Sequence, residues 1–160
     1  MKDLMNNGLV QEFIDYGKEL LSRHPDLPHK WEIDREKPGA TLKFPRQSSS
    51  GFDVVIDVKS LQITVSTGDL AHEHFEPEKG PNIYLVESVF GYVRDLLSPD
   101  MRLREKLAGN KPRWAAVESF DGRAWHPESV FGLILWNFLA KKSEKIYTNQ
   151  QLPGRLSQKN

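Results

Sequence analysis

Between Phe52 and Ser66 the chain alternates apolar and polar residues with a period of two. Phe52, Val54, Ile56 and Val58 alternate with Asp53, Asp57 and Lys59, and after Lys59-Ser60 the pattern resumes as Leu61, Ile63 and Val65 against Gln62 and Thr64. Such a pattern predicts a β-hairpin with one buried and one wet face. Upstream, Trp31 and Ile33 predict a short strand, Lys37-Pro38-Gly39 a turn, and Leu42 and Phe44 a second strand. Four consecutive strands of this kind make a meander, with Ser48-Ser49-Ser50-Gly51 as the flexible connection into the central hairpin.

Two stretches have the helical period instead. Val10, Phe13, Ile14, Gly17, Leu20 and Leu21 recur at spacings of three and four between Gly8 and Ser22, and the His24-Pro25-Asp26-Leu27-Pro28 segment ends that helix. Val86, Val89, Phe90, Val93 and Leu97 form the stripe of a second helix over Ile83 to Leu97, with Asn82 expected as its N-cap and Ser98-Pro99 as its stop. Met101 to Lys106 fits either a short helix or a strand. Arg113 to Phe120 predicts a strand that turns at Asp121-Gly122 into a returning strand from Arg123 to Trp125. Val130 to Leu139 is expected as a buried strand rather than a helix, because Val130, Phe131, Ile134, Trp136 and Phe138 are strand formers. That strand is expected to turn at Lys141-Lys142-Ser143 into Glu144 to Thr148. The fold class expected is α+β: a mainly antiparallel sheet, a meander plus C-terminal hairpins, packed with two amphipathic helices. Residues 1–152 are expected to form one domain and residues 153–160 a flexible tail.

Composition narrows the function classes. With 160 residues, 38% hydrophobic and 28% charged, the chain has the size and make-up of one folded domain. No apolar run approaches the roughly 20 residues that span a bilayer, and no cationic and apolar leader follows Met1, so no membrane partner and a cytoplasmic location are expected. The absence of cysteine excludes disulfides, thiolate metal sites and cysteine nucleophiles. The formal net charge of zero argues against a general nucleic-acid binder. The charge is nevertheless uneven: Thr67 to Asp100 is acidic, while Met101 to Arg123 and Lys141 to Lys159 are basic. A basic tail with Lys141, Lys142, Lys145 and Arg155 is too small a patch for more than weak, salt-sensitive nucleic-acid binding.

Candidate chemistry is sparse. In an extended segment His72 and His74 point the same way and can hold two positions of a divalent metal, with a third ligand from His126 or a carboxylate such as Glu73 or Glu76. Structural histidines that hydrogen-bond loop backbone are the expected reading of the pair. Asp53 and Asp57 lie about 13 Å apart on one strand, too far to share a proton, and Glu118 and Asp121 are expected to pair with Arg123 across the hairpin. No nucleophile elbow, phosphate loop or dinucleotide fingerprint is present. Of four tryptophans, Trp114, Trp125 and Trp136 fall in the C-terminal third and suit an aromatic core. Trp125 and His126, with Arg123 and Arg113, also make a chemically reasonable surface for a protein partner, since Trp and Arg are common hot-spot residues.

The order of these features has a parallel. A hairpin ending in Ile63-Thr64-Val65, then His72, His74 and Phe75, an acidic loop and an amphipathic helix, resembles small bacterial immunity proteins encoded beside polymorphic toxins. The resemblance covers about half the chain. It implies a non-catalytic cytosolic protein that binds and neutralises one toxin, needs no cofactor, and has a protein as partner. The alternative is a metal-dependent hydrolase or dioxygenase that uses His72 and His74 and requires a divalent metal.

Overall fold

The computed structural model describes residues 2–34, 36–132 and 139–156, with side chains from residue 8 onward. Helix α1 (Lys2–Ser22) leads into a first sheet of β1 (Lys30–Ile33), β2 (Gly39–Phe44), β3 (Val54–Lys59), β4 (Gln62–Thr67) and β5 (Ala71–Phe75). Helix α2 (Asn82–Leu96) is followed by β6 (Met101–Ala108), β7 (Lys111–Phe120), β8 (Trp125–Gly132) and β9 (Lys142–Thr148), which form a second sheet. All described pairings are antiparallel; the strand orders are β1-β2-β3-β4-β5 and β8-β7-β6-β9. The fold is α+β, as the alternating and helical periods predict.

The period-two pattern sets the first sheet directly. Val54, Ile56 and Val58 of β3 and Ile63 and Val65 of β4 are wholly buried, and the Lys59↔Gln62 register closes the hairpin with the two-residue turn Ser60-Leu61. Ser60 takes the positive φ (52°) that such tight turns require. On the opposite face the polar partners are satisfied by one another: Lys43 pairs with Asp53 at 3.0 Å and Lys59 with Asp57 at 2.7 Å.

Both helices cover the apolar side. Phe13 of α1 stacks on Phe90 of α2 at 5.2 Å and meets Trp31 of β1 edge-on at 5.7 Å. Gly17 permits this approach, because a Cβ there would lie 2.9 Å from both the Phe90 and Trp31 rings. The buried stripe of α2 is Val86, Val89, Phe90, Val93 and Leu96. Its N-terminus differs from expectation: Pro81 occupies the cap position with extended backbone and no side-chain cap, and Asn82 is already helical. Proline suits this end, having no N–H to leave unpaired.

The second sheet shares the core through Met101, Leu103, Ala115 and Val117. Met101 to Lys106, open to two readings in the sequence, is strand, since its alternation of Met101, Leu103 and Leu107 with Arg102, Arg104 and Lys106 gives one apolar and one cationic face. The Gly109-Asn110 turn joins it to β7. Of the strand expected from Val130 to Leu139, residues 130–132 end β8, residues 133–138 lie outside the described residues, and Leu139 is an exposed turn residue.

Beyond β9, buried Asn149 stitches the sheets to α2. Its Oδ1 accepts from Phe52 N–H at 3.1 Å, and its Nδ2 donates to the carbonyls of Phe52 (3.1 Å) and Leu96 (3.2 Å). Of the tail expected from Pro153 onward, residues 153–156 are described and are held in place. Arg155 pairs with Asp95 at 3.1 Å and donates its backbone N–H to Asp100.

Candidate functional site: a cationic aromatic sheet face

Pairing in the second sheet brings a distinctive set of side chains to the face turned away from the core. Arg102, Arg104 and Lys106 alternate along β6, and their partners in register on β7 are Glu118, Ala116 and Trp114. Beyond β7, Phe120 lies opposite Trp125 and Ala116 opposite Val130 on β8. On the other side Ile146 and Glu144 of β9 lie opposite Arg104 and Lys106.

These residues are not independent. The Arg102 guanidinium sits 4.2 Å over the Trp125 ring, and Arg104 and Lys106 lie 5.2 Å and 4.7 Å from the centre of Trp114. Glu118, 3% exposed, anchors both arginines: its carboxylate accepts from Arg102 Nε at 2.6 Å and pairs with Arg104 at 2.9 Å. A buried carboxylate is stabilised by such neighbours, and they in turn hold the two guanidinium planes against the indoles. Trp125 further packs on Phe120 at 5.1 Å. Val130 (55% exposed) and Ile146 (47%) flank the charged centre, and α2 packs against β6, whose buried Met101 and Leu103 join the core. The face therefore combines fixed cations, aromatic rings and exposed aliphatic groups, the composition of a protein-interface centre.

The residues singled out in the sequence distribute unevenly over this surface. Trp125 belongs to it. Arg123 and His126 lie at the adjoining β7–β8 turn, both exposed. There Asp121 accepts from the backbone N–H groups of Arg123 (2.7 Å) and Ala124 (2.8 Å) and from His126 Nε2 at 2.7 Å. These donors, led by the two backbone amides, hold the Asp121 carboxyl down at about 2. Arg113 is at the other end of β7, seven residues or about 23 Å from Phe120 at the usual rise per residue, next to the bulge at Lys106/Leu107. It is not part of one cluster with Trp125. Glu118 pairs with Arg102 and Arg104 across the sheet rather than with Arg123, because strand register rather than sequence proximity decides which side chains meet. Trp136 lies outside the described residues.

His72 and His74 project together from edge strand β5, with ring centres 5.0 Å apart. His72 Nδ1 is 3.1 Å from the Leu70 carbonyl and His74 Nδ1 is 3.0 Å from Thr64 Oγ1. Among the described residues no group of three or more His, Asp or Glu gathers around them or anywhere else in a metal-binding arrangement. Glu73 points to the opposite side of β5, where it accepts from Ser129 Oγ of β8 at 2.7 Å and joins the sheets. Burial, reinforced by the charges of Glu73 and Glu128, pushes the Tyr92 phenol up at this junction.

The residues sequence reasoning missed are Arg102, Arg104 and Lys106, and with them the true partners of Glu118. The alternation Arg-x-Arg-x-Lys in 102–106 was the available clue, but it marks a face only once the segment is known to be a strand. Compared with known proteins, the chain matches no protein-family model, no curated protein and no solved structure, so the reading of this face rests on its geometry.

Proposed function

We propose that the protein is a non-catalytic protein-binding module of the immunity type, which captures a toxin through the outer face of its second sheet. The observation carrying this reading is the pair of arginines fixed by buried Glu118 against Trp114 and Trp125 on the outer face of the second sheet. Pre-set side chains lose little rotamer freedom on association, so their contacts translate into affinity. With Arg102, Arg104, Lys106 and Lys142 against Glu118 and Glu144, the face carries a surplus of positive charge. An acidic protein surface complements it, and the aliphatic flank of Val130 and Ile146 suits a protein better than a nucleic-acid backbone. Both indoles already bear cations, which leaves them poor platforms for stacked bases. A cytoplasmic setting in a bacterium belongs to the same proposal.

The test has two parts. Co-expression with the products of adjacent genes identifies a partner that co-purifies stoichiometrically, and expression of the chain rescues cells from that partner's toxicity. Trp125→Ala or Arg104→Glu then weakens binding about 100-fold, the range for removing a central anchor, and abolishes rescue, while His72→Ala changes neither. Failure of every neighbouring product to bind, or full binding and rescue by both face variants, would overturn the proposal.

A further inference from the structure

The outer side of β5 carries two imidazoles whose Nε2 atoms are both left open. His72 and His74 are two residues apart on the strand, so they project from the same face, and both are exposed. His72 Nδ1 lies 3.1 Å from the Leu70 carbonyl. A carbonyl only accepts, so the proton sits on Nδ1 and the Nε2 lone pair is free to coordinate. His74 Nδ1 is engaged by Thr64 Oγ1 at 3.0 Å. Among the described residues neither Nε2 atom has a hydrogen-bond or ion-pair partner. The His72 ring also lies 5.2 Å from that of Phe131 on β8, which limits its rotation.

An imidazole that holds a metal through one nitrogen nearly always gives the other to a carbonyl or another polar group, which fixes the tautomer and the plane of the ring. Both rings have that backing from the fold itself. Their spacing fits as well. Ring centres 5.0 Å apart accommodate one shared ion: about 2.1 Å from each Nε2 it lies roughly 3.2 Å from each centre, and the two centres then subtend about 100° at it. That angle falls between the square-planar and tetrahedral values. The further ligands that the sequence offers are engaged elsewhere. His126 Nε2 bonds Asp121 at 2.7 Å, Glu73 bonds Ser129 across the sheet boundary, and Glu76 is 3.5 Å from Gln62 Nε2. No third imidazole or carboxylate joins the pair among the described residues.

We infer that His72 and His74 form a solvent-open bidentate site for a borderline divalent transition ion, with water in the remaining positions. Two imidazole nitrogens without a carboxylate favour Cu²⁺ over Zn²⁺, and both over Mg²⁺ and Ca²⁺, which take oxygen ligands. Two protein ligands fall short of the three that catalytic zinc sites keep, so the pair binds an ion without making the protein a metalloenzyme. Thr64 on β4 is a positioning residue: it touches no ion and sets the His74 ring through Nδ1. The pair belongs to the first sheet, the arginine–tryptophan face to the second, and neither depends on the role of the other.

The test is calorimetric titration of the full chain, prepared without a histidine tag, with the chlorides of Cu²⁺, Zn²⁺ and Mg²⁺, and with backbone amide NMR shifts recorded for Zn²⁺. One saturable site is expected with Cu²⁺ and, more weakly, with Zn²⁺, and none with Mg²⁺; the shifts centre on Thr64, Leu70, His72 and His74. His72→Ala and His74→Ala each weaken binding at least tenfold. Thr64→Val removes no ligand, only the support of the His74 ring, and weakens binding about tenfold. His24→Ala, after α1, leaves it unchanged. Melting curves without metal accompany each variant, so that loss of fold is told apart from loss of a ligand. Absence of a saturable Cu²⁺ site, binding that survives both histidine variants, or an equal response to Mg²⁺ overturns the inference. Variants that lower the melting temperature while the parent binds no metal give the two rings a structural role only, which overturns it too.

Discussion

Asp121 closes the β7–β8 turn by accepting three donors at once, two from backbone and one from His126. Those donors favour the ionised form, so the folded-state value of about 2 lies below the ordinary 3.8. A carboxyl with a depressed folded value adds stability that is fully present above its unfolded value and is lost as pH falls toward its folded value. The window is therefore from about pH 4 down to about pH 2. Asp121→Asn keeps the shape of the side chain but loses the charge, so its melting temperature is expected to lie below that of the parent at pH 6 and to converge on it between about pH 4 and about pH 2. Melting curves at five pH values check this; a gap that stays constant would mean that the carboxylate's charge contributes nothing. Glu105 has the opposite sign. Its raised value means that the unfolded state ionises first, and stability declines as pH climbs above the ordinary carboxylate range. Two acids on one sheet thus act in opposite directions, one as a turn-former and one as a desolvated group.

At the scale of elements, the seating of α1 depends on a missing side chain. Gly17 lies where the helix meets both Phe90 and Trp31, and alanine there gains about 1 kcal/mol of intrinsic helix preference. Against that, a Cβ 2.9 Å from two rings that are themselves packed on Phe13 forces a shift, and overpacking of this kind costs about 1–3 kcal/mol. The clash is expected to prevail, with Gly17→Ala lowering stability by about 1 kcal/mol in urea denaturation. A raised midpoint would show that the rings relax freely. The sequence shows Gly17 on the apolar stripe but not what it faces, because helix–sheet docking is non-local. The same distinction explains what was legible elsewhere. Phe52 to Ser66 and Val86 to Val93 read correctly because one face of each is buried in a regular period. Glu118 and Glu105 did not, since Glu118 meets its arginines only through the β6–β7 register and Glu105 occupies an inward position where alternation predicts an apolar residue. Ala71 to Phe75 carried a readable histidine pair, but its role as edge strand of the first sheet follows from pairing with β4.

At the scale of the molecule, two sheets could behave as separate folding units, each with its own antiparallel ladder. Three features tie them together. One hydrophobic cluster runs from Val54 and Ile56 through Val89 and Val93 to Leu103 and Val117, Ser129 bonds Glu73 across the sheet boundary, and Asn149 joins the segment after β9 to Phe52, just before β3, and to α2. Buried polar groups left without partners cost about 1–3 kcal/mol each. Asn149→Ala orphans the Phe52 N–H and the Phe52 and Leu96 carbonyls together, so a loss of about 3 kcal/mol is expected. Because the link is shared, both sheets are expected to lose that stability equally. Native-state hydrogen exchange reads this directly: the slowest amides of Ile56 and Val65 in the first sheet and of Leu103 and Val117 in the second open with one common free energy, the global one. In Asn149→Ala all four fall by the same amount. If only Leu103 and Val117 fell, the second sheet would be a separate unit held on the first, and its binding face would sit on a body free to open by itself. Equal values make the cation-bearing face as rigid as the core beneath it, which is the condition under which pre-set arginines and indoles contribute to affinity rather than to disorder.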